Sequence, residues 1–308
     1  MSELRIISLL PAATEIIYAL GLEGKLVGRS HECDYPESVK DLPVCSSAKF
    51  LPGSDSAEID RQVKEILSDA LSIYTIDKEM VRELKPNVII TQTQCEVCAV
   101  SQKDVDEALK GLLDQDCRII SLEPHILSDI FKDIRSIAAD LGAKGQADEL
   151  LDTADERVDI IRHKLKFISE NPKVACIEWL SPLMIAGNWT PELVEIAGGN
   201  PVLATKGRHS PFVDFADVLE EDPDIIVVMP CGFSIPRTLQ EINLLLDLPL
   251  WQNLTAVKNN KIYIADGNHY FNRSGPRLID SIEILAEIIH PKQFIFGYEG
   301  EGWIKFNL

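Results

Sequence analysis

The chain has 308 residues, enough to build two cores, and its 45% hydrophobic with 26% charged residues is the balance of a folded globular protein. Its 49 acids against 30 Lys plus Arg give a net charge of −19, which argues against nucleic acid or an anionic membrane surface as partner. No apolar run approaches the roughly 18 residues that suggest a membrane-spanning helix.

Residues 5–10 (RIISLL) form a short apolar run bounded by Pro11 and predict a buried parallel strand. Helical spacing follows over 12–20, with Gly21 placed to end it. A second strand over 25–30 delivers His31-Glu32-Cys33-Asp34-Tyr35-Pro36 into a loop. After a polar passage, 56–70 and 77–84 read as helices, the second stopped by Pro86. The strand 88–92 opens onto Thr93-Gln94-Cys95-Glu96-Val97-Cys98. A helix near 103–113 leads to the strand 118–122 and then to Glu123-Pro124-His125. Residues 128–141 predict a helix with Ser128 as N-cap and Gly142 past its end.

Residues 145–169 predict one uninterrupted helix, because Ala147, Leu150, Leu151, Ala154, Val158, Ile161, Leu165 and Ile168 recur every three or four positions except for one adjacent pair. At 1.5 Å per residue it spans roughly 37 Å, enough to connect two lobes. Beyond it the grammar returns. Residues 174–179 read as a strand, and 191–197 as a helix ended by Gly198-Gly199. PDIIVV after Asp222 echoes PNVIIT after Lys85, and KIYIAD echoes RIISLE, in the same order and at similar spacing. The pattern predicts an internal duplication. The expected division is an N-terminal lobe over 1–143, a connecting helix over 144–169 and a C-terminal lobe over 170–308. The fold class is α/β, each lobe a doubly wound parallel sheet. Ligands of such sheets sit outside the carboxyl ends of the strands, so the segments after the strands are expected to line a shared cleft.

Those segments and the neighbouring loops carry the candidate ligand-binding residues: His31, Glu32, Cys33, Tyr35, Gln94, Cys95, Glu178, Trp179, Trp189, His209, Cys231, Phe233, His269, Tyr270 and Arg273. Aromatic side chains in this position stack on a flat or bulky ligand. Cys95 and Cys98 form a C-x-x-C pair with three open readings: packing thiols, a metal site such as zinc that draws on Cys33 and Cys231, or a redox pair opening a helix. Cys45, Cys117 and Cys176 read as packing residues. The seven cysteines are an odd number without framework spacing, which predicts reduced thiols. No G-x-S-x-G, Walker A or H-E-x-x-H motif is present. The first residues run straight into the first strand without the sections of an export signal. A cytoplasmic protein is expected, or a periplasmic or cell-surface one whose signal has been removed.

The segments RIISLLPAATEIIYALG, LKPNVIITQ, EDPDIIVVMPCG, KIYIADGN and GPRLIDSIEILAEII, with the long helix, resemble the helical-backbone (class III) substrate-binding proteins of ABC importers. The likeness covers residues 4–292. More narrowly, SHECDYP, SAEIDRQV, QCEVCAVS, CIEWLSP and MPCGF are similar to a cobalamin-binding-protein-like subgroup. The resemblance implies two α/β lobes joined by one helix, a ligand held in the cleft between them, and an ABC importer as partner, with Glu58 and Glu195 as docking acids. The ligand expected first is cobalamin or a related corrinoid, with siderophore or haem behind it, and no catalysis. A thiolate or imidazole from Cys33, Cys95, Cys98, His31 or His269 is suited to coordinate the ligand's metal. The alternative is a zinc- or thiol-dependent enzyme or redox protein using Cys95 and Cys98.

Overall fold

The apolar runs that begin at Ile6 and Val88 become neighbouring strands of one parallel sheet. The computed structural model describes residues 3–68, 73–93, 102–109 and 117–307. They divide into two units, the first formed by Met1–Ser54, Glu58–Pro124 and Ser128–Leu151, the second by Asp55–Ala57, His125–Leu127 and Asp152–Leu308.

The first unit takes, in chain order, β1 (Ile6–Ser8), α1 (Pro11–Ala19), β2 (Leu26–Arg29), β3 (Ser46–Ala48), most of α2 (Ser56–Ser68), β4 (Tyr74–Ile76), α3 (Lys78–Leu84), β5 (Val88–Gln92), α4 (Gln102–Leu109), β6 (Arg118–Leu122) and most of α5 (Leu127–Leu141). Its main sheet has the order β2-β1-β5-β6, parallel throughout, and β3 pairs antiparallel with β4. Pro11 opens α1 because the first turn of a helix has no use for the N–H that proline lacks. Asp77 caps α3 by accepting from the Met80 N–H at 3.0 Å, and Lys85 in the left-handed region ends that helix ahead of Pro86. Ile6, Ile7, Ile16, Ile17, Ile89 and Ile90 are fully buried and form the centre of the unit's core.

The units divide within α6 (Lys144–Leu165). Ala147, Leu151, Ala154, Val158 and Ile161 are its buried stripe, alternating steps of four and three residues. The helix stops short of the expected end: Phe167 and Ile168 turn their N–H groups back to Lys164 and Leu165. The second unit continues with β7 (Lys173–Trp179), β8 (Met184–Ile185), α7 (Thr190–Ile196), β9 (Asn200–Pro201), α8 (Phe215–Glu221), β10 (Ile225–Val228), α9 (Ile235–Glu241), α10 (Asn243–Leu246), α11 (Thr255–Lys258), β11 (Ile262–Ala265), α12 (Leu278–Ile289) and β12 (Trp303–Phe306). Here β9, β7, β10 and β11 pair in parallel in that order, the same arrangement as β2-β1-β5-β6. This is the topology that an internal duplication requires. The tail adds β12 antiparallel to β11, so the C-terminal segment packs back on its own unit.

Burial decides the state of several ionisable groups. Cys45 and Cys176 have their thiols pushed up to about 11 and about 12 respectively, chiefly by burial, as packing residues should. On α5, burial with Asp129 nearby raises the Asp133 carboxyl from 3.8 to about 6, and its buried Oδ2 has no hydrogen-bond partner among the described residues. The folded state therefore holds this proton more tightly than the unfolded chain. Its contribution favours folding at low pH and is lost as pH rises from 3.8 to about 6. An Asp133→Asn variant should gain about 1–2 kcal/mol at pH 7.5 in urea unfolding and show a flatter stability profile between those pH values. Equal stability of variant and parent at pH 7.5 would show that the carboxylate is not strained.

Candidate functional site

The parallel strands of the second unit all release their turns at one edge of the sheet. Glu178 and Trp179 end β7, and the Cys231 N–H donates to the Glu178 carbonyl at 3.1 Å, tying the turn after β10 to the end of β7. Trp179 is half-buried and stands 5.2 Å from the Phe233 ring, centroid to centroid. Its indole N–H donates to the carbonyls of Ser181 and Ser56. The Arg237 guanidinium lies 4.3 Å from the centroid of Phe233 and pairs with Glu241 one turn along α9. Indole, phenyl ring and guanidinium thus form one contiguous cluster in which the two rings are tilted at 56° and the guanidinium lies against the phenyl ring.

After β11, Asp266 organises the next turn by accepting from the Asn268 and His269 N–H groups at 2.9 and 2.7 Å. The N–H groups of Gly267 and Asn268 both donate to the Phe233 carbonyl, so the turns after β10 and β11 form one body. Beneath them Arg273, largely buried, donates to Asn268 Oδ1 at 3.1 Å. His269 is partly exposed and lies 3.6 Å from Asp266. Tyr270 sits between Tyr298 and Arg277, with centroid distances of 6.1 and 5.5 Å. Ser210 Oγ donates to Glu178 and accepts from the Gly187 N–H at 2.9 Å. His209 beside it is exposed, its Nδ1 donating to the Ser210 carbonyl. Trp189 is buried, and its indole N–H donates to the Phe271 carbonyl at 2.6 Å.

In the first unit the corresponding turn follows β2. Ser30 and Ser46 are buried, and Ser46 Oγ donates to Ser30 Oγ at 3.0 Å. His31 Nδ1 meets Ser46 Oγ at 2.9 Å, and the His31 main-chain N–H reaches the same oxygen at 3.3 Å. The imidazole lies 5.5 Å from the Tyr74 ring, whose hydroxyl donates to Glu32 Oε1 at 3.2 Å. Burial, and secondarily the Arg29 charge, lower the His31 pKa below its ordinary 6.5, so the ring is neutral at pH 7. Cys33 is buried, with its sulfur 3.1 Å from the Thr14 hydroxyl that donates to it, whereas Tyr35 is exposed. Gln94, Cys95 and Cys98 lie outside the described residues.

Glu178, Trp179, Cys231, Phe233 and His269 therefore fall together in the second unit, and His31 and Glu32 in the first. Ser46, Tyr74, Ser210, Arg237 and Asp266 complete these clusters and were not singled out from the sequence. Ser46 and Tyr74 sit on β3 and β4, whose three-residue length leaves no periodic signal. Among the described residues no group of three or more His, Cys, Asp or Glu side chains is placed to hold a metal ion.

Duplicated parallel sheets sharing one long helix define a substrate-binding protein of the kind that serves ABC importers. The chain belongs to the periplasmic binding protein family, whose model matches residues 6–268. An uncharacterized ABC transporter substrate-binding lipoprotein, YvrC of Bacillus subtilis, is 26% identical over 296 residues, covering 94% of this chain and 81% of the relative. A vitamin B12-binding protein of Vibrio parahaemolyticus is 25% identical over 290 residues, covering 92% and 88%. The solved periplasmic haem-binding protein of Roseiflexus sp. RS-1, in apo form, shares the fold. Its TM-score is 0.70 at 21% identity, over 94% of this chain and 99% of that one. These findings overturn the expectation of a cytoplasmic protein, because the family is periplasmic and the Bacillus relative is a lipoprotein. Where the present sequence starts is no guide to its compartment. Among the described residues no helix is long and apolar enough to cross a membrane. The family consists of binding proteins, and nothing favours the enzyme or redox alternative built on Cys95 and Cys98.

Proposed function

We propose that this protein captures a bulky metal-containing ring cofactor, cobalamin or a related corrinoid first and haem second, for delivery to an ABC importer. The observation that carries this reading is the Trp179–Phe233–Arg237 cluster at the strand exits of the second unit, in a chain akin over nearly its whole length to vitamin B12-binding proteins. A macrocycle offers a broad π-face and an apolar rim, which the half-buried indole of Trp179, backed by the buried Phe233 ring, meets at low entropic cost. Haem shares that chemistry, in keeping with the haem-binding neighbour. Ferric siderophores, the third class, are less flat and would use the aromatic surface less fully.

Docking to the importer is assigned to acidic side chains on the surface of each unit. Glu195 is exposed on α7. Glu58 on α2 is already hydrogen-bonded to Arg61, which holds its carboxyl down at about 2, so it meets a partner as a charge pair and not as a bare anion.

Calorimetric titration of the full chain with hydroxocobalamin, haemin and a ferric siderophore tests the reading. Saturable one-to-one binding of a corrinoid or haem, with quenching of tryptophan fluorescence, is the expected result. Heat from the siderophore alone, or from none of the three, would overturn it.

A further inference from the structure

The net charge of −19 belongs to the chain as a whole and is not evenly spread. The first turns of α6 carry Asp148, Glu149, Asp152, Asp155 and Glu156, whereas its end and the residues just after it carry Arg162, Lys164 and Lys166. Bases at a helix C-terminus suit the helix dipole, and that alone accounts for them. It does not account for what stands among them. Phe167, just past the helix, is 82% exposed, and Ile295, in the loop after α12, is 86% exposed, the two highest values for large apolar side chains among the described residues. Lys164 joins the two segments: its Nζ donates to the Gln293 carbonyl at 3.4 Å and lies 5.3 Å from the centroid of the buried Phe294 ring. The His163 ring meets Phe167 edge-on, 5.8 Å between centroids. Lys292, also exposed, adds a fourth cation. The acids adjacent in sequence are Asp159, 3.5 Å from Arg162, and Glu170. This face lies at the entry edge of the second unit's sheet, because His290 Nε2 donates to the Gly198 carbonyl at 3.1 Å and Asn200 pairs with Lys173 at the start of β7. The candidate ligand turns leave from the opposite edge.

We propose that this face of the second unit docks on the surface of an anionic phospholipid bilayer, with Phe167 and Ile295 entering the headgroup layer and the four cations lying over lipid phosphates. Protruding apolar tips among long basic side chains suit such an interface: the tips and the aliphatic stems leave water while the charges stay at headgroup level. The acids elsewhere on the chain oppose this contact little, because exposed charges more than about 8 Å away are largely screened at physiological ionic strength. A protein partner fits the face less well. A stable protein interface takes about 800 Å² from each side, and a Phe with an Ile supplies roughly a few hundred. The contact leaves the strand-exit turns of this unit uncovered, and it does not depend on which ligand the protein carries.

Flotation of the 308-residue chain with lipid vesicles tests this, using phosphatidylcholine alone and phosphatidylcholine with about 30% phosphatidylglycerol at about 0.15 M salt. The parent protein should bind the anionic vesicles at least about tenfold more tightly than the neutral ones, and about 1 M salt should remove most of that preference. Phe167→Ser combined with Ile295→Ser should weaken binding by about tenfold or more. Lys166→Glu combined with Lys292→Glu should do the same by reversing two charges at the lipid surface. All four side chains are exposed, so both variants should keep the parent's Tm. No binding by the parent, equal binding to neutral and anionic vesicles, or parent-like binding by either folded double variant overturns the proposal. So does self-association of the parent, read by sedimentation velocity, that Phe167→Ser with Ile295→Ser abolishes, because the face would then belong to a second copy of the chain.

Discussion

A Glu287→Ala variant is expected to lose about 4 kcal/mol of stability and to release the C-terminal segment from the second unit. Glu287 is only 4% exposed, yet its carboxylate accepts from the Phe296 N–H, from the Gly297 N–H at 2.6 Å and from the Trp303 indole at 2.8 Å. Hydrogen bonds to an ionised acceptor contribute about 1.5–3 kcal/mol each, though not additively, and truncation strands three donors in a buried place. Trp303 lies on β12, the edge strand that covers β11. Losing the carboxylate should therefore unpair that edge and expose Trp303, which urea unfolding and a red shift in tryptophan emission would both detect. Glu287→Gln keeps one acceptor oxygen and should fall between the two. A loss below about 1 kcal/mol in the alanine variant would mean that the segment is held by apolar contacts instead.

Gly267→Ala should cost about 3 kcal/mol and impair ligand binding as well. A β-carbon there would collide with the Pro230 carbonyl oxygen and stand 2.7 Å from that of Met229, both of them backbone atoms that have no rotamer to escape into. These carbonyls belong to the turn that carries Cys231 and Phe233, so relief of the clash has to move the aromatic cluster. Gly232 is the contrasting case: nothing lies within 4 Å of its added carbon, and only its φ of +75° is at stake. Gly232→Ala should cost about 1–2 kcal/mol and leave Phe233 in place. Thermal denaturation with ligand titration on both variants separates lost space from lost backbone freedom. Equal binding defects in the two would contradict the distinction.

Much of this fold was legible because each unit is built from short apolar runs closed by Gly or Pro. The run before Pro11, the Pro86 and Pro223 strand entries and the stripe from Ala147 to Ile161 all appear where periodicity puts them. Two kinds of feature were not legible. The first is pairing between tiny strands: β3 meets β4 across a helix, and β9 is the two residues Asn200–Pro201, with no room for a pattern. The second is the setting of a side chain after its strand ends. Cys33 and His31 are two residues apart in the same turn, yet one takes a hydrogen bond from Thr14 and the other meets Ser46 and the Tyr74 ring. That difference depends on Ser46 and Tyr74, which reach the turn through β3 and β4 and leave no trace in the local sequence. The helical end at Leu165 was missed for a related reason: Ile168 fits the apolar spacing, but Phe167 beside it is exposed and the chain turns there.

Hydrogen–deuterium exchange of the full chain, with and without saturating hydroxocobalamin, bears most directly on whether the strand-exit turns hold the cofactor. Slowed exchange is predicted in peptides spanning 30–35, 229–233 and 266–270, with little change in α12 or β12. Protection confined to other surfaces, with those three turns exchanging as they do in the free protein, would contradict it.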